Sequence, residues 1–290
     1  MLDYIGQLRN LCNLWKNVSM EKRFHPAMAA IQSGDLEKFK QLVAADPSLA
    51  TARSARSHPT LLQCLVLDGK DKPNAVEMAK VLIDAGAELN EPLVAAASID
   101  NRPVAELLLD RGAAIDGTGG WTPLEEALYW DSRNAIALLL ERGTKIQNIR
   151  TAAALGRTDL IEGYFNPDGS LKSEAGRIDW PFGKRFADRI NAWSQDRQGI
   201  VNNAFVYACM HGQIDAAKLL LDKGAEVNVI PGGFDYAGTG LHYAALNGHR
   251  AMIEFLLDHG ADKTVKDTKV NSTPAGWAEH GGHTDLLNIL

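Results

Sequence analysis

The sequence predicts an all-α solenoid of roughly eight stacked helix-turn-helix repeats, and three observations carry that expectation. A ten-residue string, led by apolar residues and carrying a glycine at its sixth place, recurs five times. A second string, rich in small residues, precedes it at a near-constant interval. Threonine, proline and glycine stand where the helices of such units would start and stop.

The recurring string reads VLIDAGAELN at 81–90, LLLDRGAAID at 107–116, LLLERGTKIQ at 138–147, LLLDKGAEVN at 219–228 and FLLDHGADKT at 255–264. Its partner reads PLVAAASIDN at 92–101, TPLEEALYWD at 122–131, NAFVYACMHG at 203–212 and TGLHYAALNGH at 239–249, with weaker copies at 26–35 and 149–159. Thr122 and Pro123 suit a helix start, because the hydroxyl can cap free N–H groups and proline loses nothing at the first helical position. Ala95 to Ala97, Ala152 to Ala154, and Ala244 with Ala245 let neighbouring helices approach closely. Gly156, Gly212 and Gly248 are expected to close a short first helix in the left-handed conformation. A second helix then carries the leucine triplet, Leu107 to Leu109 or Leu219 to Leu221, as core. Gly86, Gly112, Gly143, Gly224 and Gly260 end it.

Helix, turn, helix and extended loop in this order resemble the ankyrin repeat, whose TPLHxAA…GH…LLLxxGAxxN pattern the 239–262 repeat follows closely. The resemblance covers most of residues 25–290, and its overall look is closest to bacterial members. It implies an ankyrin-repeat solenoid in which paired helices stack into a curved slab and the loops project as hairpin-like fingers.

The organisation read from the chain is an N-terminal capping helix at 1–24, repeats 1–5 at 25–165, an insertion at 166–200, and repeats 6–8 at 201–290, the last incomplete. The cap rests on Tyr4, Ile5, Leu8, Leu11, Leu14 and Trp15, an apolar face at helical spacing that would cover the open end of the array. Residues 68–75 lengthen the turn inside the second repeat, and the connection after Gly86 is too short for a full finger. The insertion is unusually long for a connection within a compact array. Trp180, Phe182, Phe186, Ile190 and Trp193 are too apolar for a plain linker, and a short helix is expected over 183–195. It would pack on the flank of the stack, wall a ligand groove, or serve as a linker. At Leu290 the chain stops inside a second helix, so that helix is either bare or continued in a longer chain.

Composition narrows the function. The 290 residues are 46% hydrophobic and carry a formal net charge of -6, from 30 basic and 36 acidic residues. That balance argues against global disorder and against nucleic acid as partner. No run of about 18 apolar residues suggests a membrane span, and the first residues lack the pattern of a signal peptide. Cys12, Cys64 and Cys209 lie far apart and are odd in number, so a reducing cytoplasm fits best. Six of the eight histidines follow residue 200. His242, His249 and His283 match places where the family uses histidine for hydrogen bonds within and between repeats. His280 and His283 lack the spacing and companions of a zinc site. There is no GxSxG and no GxxxxGK[ST], and Cys209 belongs to the small-residue core of a first helix. The expectation is a non-enzyme, without cofactor or metal, that binds another protein as a cytoplasmic monomer.

The resemblance implies a concave groove lined by finger residues and by the last exposed residues of each first helix. Those places hold Ser98, Ile99, Trp121, Tyr129, Trp130, Met210, His211, Asp235, Tyr236, Leu246, Asn247 and His280. Trp121, Tyr129 and Trp130 stand together where polar residues would be ordinary. Large aromatics at such a place suit a partner's hot spot; packing by the insertion, or within the stack, is the competing reading. The other functional reading is a small-molecule binder or enzyme whose pocket the 166–200 insertion roofs over Trp121, Tyr129, Trp130 and His211. A third is a spacer inside a larger chain.

Overall fold

The computed structural model describes residues 22–54, 59–179, 193–235 and 237–290. Most of the expected capping helix and the residues at 180–192 fall outside these ranges. The chain divides into two bodies, Met1–Lys145 and Ile146–Leu290, each described on its own.

The amino-terminal body contains α1 (His25–Ser33), α2 (Leu36–Ala45), α3 (Ser48–Thr51), α4 (Leu61–Asp68), α5 (Ala75–Asp84), α6 (Asn90–Ser98), α7 (Arg102–Asp110), α8 (Pro123–Tyr129) and α9 (Arg133–Glu141). The carboxy-terminal body contains α10 (Ile149–Ala154), α11 (Thr158–Gly163), α12 (Arg197–Met210), α13 (Ile214–Asp222), α14 (Gly240–Leu246), α15 (Arg250–Asp258) and α16 (Pro274–Gly281). The short α3 aside, these helices pair as α1/α2, α4/α5 and onward. After α16 the chain ends with a 3-10 turn at Thr284–Leu286 where a second helix was expected.

Each repeat is built by a division of labour inside the recurring string. Its second residue is the core residue: Leu82, Leu108, Leu139, Leu220 and Leu256 are all 0–1% exposed. Leu138, the first residue of its triplet, is also fully buried, while the third, Leu140, is 41% exposed. Truncating a leucine such as Leu108 to alanine removes buried apolar volume, a change that costs about 2–5 kcal/mol. The sixth residue reverses the chain. Gly112 sits at φ +91° with open space around it, so backbone conformation alone demands glycine there.

The polar residue that closes the string ties consecutive repeats together. Asn90 Oδ1 accepts the N–H of Ala114 at 2.8 Å, Asp116 Oδ1 that of Lys145 at 2.9 Å, and Asn228 Oδ1 that of Asp262 at 2.7 Å. In every case the tenth residue of one string holds the eighth residue of the next. These side chains, rather than paired strands, order the loops. The described residues form no strand, only isolated bridges between Arg53 and Thr60 and between Phe165 and Leu171. The fingers are therefore turns where hairpin-like loops were expected.

First helices are short and almost wholly enclosed. All seven residues of α8 are buried, as are Ala152 to Ala154 of α10 and Val201 to Met210 of α12. Histidine closes two of these junctions, one by the expected hydrogen bond and one by packing alone. His249 Nε2 donates to the Met210 carbonyl at 3.0 Å, and the His283 ring lies against Gly248, where any β-carbon would meet it at 2.5 Å. Gly248 is thus needed twice, for φ +73° and for space.

The insertion differs from expectation at its carboxy-terminal end. Helix α12 begins at Arg197, four residues before the expected start near Val201, because Asp196 caps it by accepting the Gly199 N–H at 2.8 Å. Of the helix expected over 183–195, the described residues 193–195 form a bend and irregular chain. They are pinned all the same. Gln195 exchanges two hydrogen bonds with the Ile178 backbone, at 2.9 and 3.0 Å, and the Trp193 ring packs on Gly232. The buried Arg150 guanidinium donates to the Arg177 carbonyl at 2.7 Å.

A candidate partner-binding site around a buried carboxylate

The helix α8 is positioned by its first turn. Thr122 Oγ1 accepts the Glu125 N–H at 3.1 Å and Glu125 Oε2 accepts the Thr122 N–H at 2.9 Å, a reciprocal capping box. Glu125 is therefore turned back along the chain, and Glu126, one residue on, points to a different side. Trp121 enters from the finger and Trp130 leaves at the C-cap. Both indoles reach the Glu126 carboxylate. Trp121 Nε1 donates to Oε2 at 2.7 Å and Trp130 Nε1 to Oε1 at 2.9 Å. An indole can only donate, so two half-buried indoles need two acceptors, and a carboxylate supplies one oxygen to each.

Tyr129 joins both rings edge-on. Its centroid lies 6.3 Å from Trp121 at 74° and 5.0 Å from Trp130 at 82°. These near-perpendicular contacts suit the electron-poor edges and electron-rich faces of aromatic rings. Glu126 itself is 6% exposed. Burial pushes its carboxyl up, to about 7. The two indole donors pull the other way, while the neighbouring Glu125 charge adds to the rise.

The other expected contact residues are placed as follows. Trp121, Trp130, Ser98, Ile99, His211, Asp235, Leu246, Asn247 and His280 are half-buried. Tyr129 and Met210 are buried, at 8% and 6%. Those two side chains are enclosed because they sit in the last turn of helices packed on every side. What Met210 offers is its carbonyl, which accepts Asn247 Nδ2 at 2.8 Å as well as His249. Asn247 is thereby committed to holding repeats together. Ser98 lies beside the α8 end, its carbonyl accepting Ser132 Oγ at 3.2 Å, and the Ile99 carbonyl accepts Lys70 Nζ. Asp235 pairs with Lys269 at 2.8 Å. Tyr236 lies outside the described residues. The amino-terminal body brings the three aromatics together beside Ser98. The carboxy-terminal body brings together Met210 and Asn247, with Leu246 beside Gly281.

Sequence reading missed Glu126, the residue that organises the cluster. This acid lies inside a buried helix. The available signal was an acid five residues after one tryptophan and four before another. A second cluster was missed in the carboxy-terminal body. Tyr207, Phe234, Tyr243 and Trp277 are all buried, and successive rings lie 4.9–5.1 Å apart.

Among the described residues, no group of three or more His, Cys, Asp or Glu is arranged to hold a metal ion. No helix there is long and apolar enough to cross a membrane. Cys209 is fully buried, and burial pushes its thiol well up.

Comparison with known proteins agrees with this architecture. The family model for ankyrin repeats (3 copies) matches residues 61–150 and 184–267. The human transient receptor potential cation channel subfamily A member 1 is 24% identical over 232 residues, which is 74% of this chain and 19% of that protein. The mouse serine/threonine-protein kinase TNNI3K is 37% identical over 91 residues, 28% of this chain and 11% of the kinase. Human palmitoyltransferase ZDHHC13 is 39% identical over 61 residues, 21% of this chain and 10% of that enzyme. The matches span only about a tenth to a fifth of these relatives' lengths. Family-model coverage of more than half of the chain, together with the recurring helix pairs and their ties, establishes that the chain belongs to the ankyrin repeat family.

Proposed function

We propose that the chain is a non-catalytic, cytoplasmic, monomeric scaffold that binds another protein along its concave face, with Trp121 and Trp130 at the centre of the contact. Ankyrin repeats serve as protein-interaction modules in general. The observation that carries the assignment to this place is the contrast between half-buried indoles at Glu126 and the sealed cluster of Tyr207, Phe234, Tyr243 and Trp277. Large aromatic surface left accessible, with its polar atoms already satisfied from within, is what interface hot spots use.

The reading of a pocket with chemistry draws on one observation, the Glu126 carboxyl raised to about 7, a value suited to proton transfer near neutral pH. Against it, both oxygens are held by indole donors and the group is almost fully enclosed. Binding is the better-supported role.

The test compares proteins that co-purify quantitatively with the intact chain, a Trp121→Ala/Trp130→Ala variant and a Leu140→Ala control on a second helix. The aromatic variant should weaken its strongest partner by about tenfold or more with the fold retained by circular dichroism. An unchanged partner list would sink the assignment.

A further inference from the structure

We propose that Glu126 is a proton-operated latch on the candidate contact: ionised, it fixes both indoles, and protonated, it keeps Trp121 and lets Trp130 go. This rests on the protein-binding reading above and names the regulation of that same site. The latch follows from counting hydrogens. Trp121 Nε1 donates to Oε2 and Trp130 Nε1 to Oε1, so the ionised group offers one oxygen to each donor. A proton turns one oxygen into a hydroxyl, which donates and is a poorer acceptor, and leaves one good acceptor for two indoles. An indole can only donate, so one of the two must give up its bond. Trp130 is the one to leave. Its bond is the longer, 2.9 Å against 2.7 Å, and Trp121 is held by a further contact. Trp130 is also half-buried and stands at the C-cap of α8, where its side chain can turn toward water.

The surroundings bring this proton within reach. Helices α6 and α9 pack on α8, and the charged groups they carry have partners of their own. Glu91 pairs with Arg53 at 2.8 Å, Arg133 with Asp131 at 3.0 Å, and Glu141 with Arg102 at 2.7 Å. On the finger before α8, Arg111 pairs with Asp84, and Asp116 accepts the Thr144 hydroxyl and the Lys145 N–H. The charge that acts on Glu126 is that of Glu125, its neighbour on α8, and it opposes ionisation as burial does. The proton therefore exchanges near neutral pH. At Asp267 the Trp277 indole shares its carboxylate with three backbone N–H groups, and the group stays ionised through that range. A partner that reads both indoles meets them in fixed poses only while Glu126 is ionised. Side chains already immobilised spare the ordering cost of binding, so the contact is pre-organised in that state alone.

The test follows the indole N–H groups of Trp121, Trp130 and Trp277 in the full chain by nitrogen-15 relaxation. It compares about pH 8.5 with about pH 5.5, on either side of the Glu126 midpoint, with assignments from single Trp→Phe variants. All three indoles should be rigid at the higher pH, with order parameters of about 0.85. At the lower pH Trp130 should fall to about 0.6 or below, while Trp121 and Trp277 stay as they were. Glu126→Gln presents one acceptor at every pH, so it should hold Trp130 loose throughout. Should it unfold the repeat, Trp130→Phe serves instead. One donor then remains for two oxygens, and Trp121 should stay rigid across the range. A Trp130 equally rigid at both pH values, or Trp121 loosening in its place, would overturn the proposal. If Trp130 does not respond while Trp121→Ala/Trp130→Ala still strips a natural partner, the docking site stands and the latch is wrong. If Trp130 responds and that variant leaves the partner list unchanged, the latch stands and the docking site is wrong.

Discussion

Each body of the molecule seats tryptophan on a buried carboxylate, and the two seats differ in how many donors they supply. In the carboxy-terminal body Asp267 accepts the N–H groups of Lys269, Val270 and Ser272 at 2.8–2.9 Å and the Trp277 indole at 3.0 Å. In the amino-terminal body Glu126 accepts two indoles and nothing else among the described residues. Burial pushes both carboxyls up, but at Asp267 the donors together outweigh it and hold the group below the ordinary aspartate value. At Glu126 they do not, and its carboxyl stands at about 7. Donor count, together with the heavier desolvation of Glu126 and the neighbouring Glu125 charge, sets the sign of the shift. It also separates roles: Asp267 organises a loop under a sealed aromatic row, and Glu126 is an under-compensated acid beneath half-open rings.

Removing each seat should break the two regions unequally. Asp267→Ala strands four donors in a buried loop and should cost about 4 kcal/mol, the largest effect expected here. Glu126→Ala strands two indoles and removes an acid that is itself costly to bury, so a loss of about 2 kcal/mol is expected. Denaturant unfolding, read with hydrogen exchange in α8 and α16, gives both numbers. A larger loss at Glu126 would reverse the ranking of the two seats.

The two acids should also respond to pH in opposite senses. Below about pH 4.5 both folded and unfolded chains keep the Glu126 proton. Between there and about pH 7 only the unfolded chain releases it, so stability falls as pH rises, by about 3 kcal/mol across the window. Glu126→Gln has no such proton to lose and should gain on the natural chain by that amount between pH 4.5 and 7.5. Asp267 works the other way, because its folded value is lowered. Its stabilisation is present above the unfolded value of 3.8 and is lost as pH falls through the folded value.

His242 adds a third titration, at the helix position in α14 that Glu125 occupies in α8. Its Nδ1 accepts the Thr239 N–H at 3.1 Å and its Nε2 donates to the Ser272 carbonyl at 3.2 Å, an arrangement for a neutral ring. Burial holds its protonation below the usual histidine range, so this contribution too fades as acid protonates the unfolded chain. The smallest effect expected concerns the caps. Thr122→Ala removes the acceptor for the Glu125 N–H and should cost about 1 kcal/mol, read as a lowered unfolding midpoint.

The repeat architecture was legible because its signals are local and repeated. Thr122-Pro123, the central leucine of each string and the glycine after it each report a backbone state or a burial fixed within a few residues. The same regularity hid the seats. Glu126 reads as one more polar residue in a short helix, since nothing in a single repeat shows that all sides of α8 are covered. Phe234 and Asp267 sit in fingers, where loop composition suggests solvent, yet the ring of Phe234 is held between Tyr207 and Tyr243. Met210 was placed on the contact face by its position at a helix end, and packing of that last turn encloses it.

The most direct measurement of the amino-terminal site is the pH titration of the indole N–H resonances of Trp121 and Trp130 from pH 4 to 9. If one buried carboxylate bridges both rings, the two resonances move together with a shared midpoint near 7, and both titrations vanish in Glu126→Gln. Resonances that move separately, or with the midpoint of an ordinary solvated glutamate, would contradict the bridge.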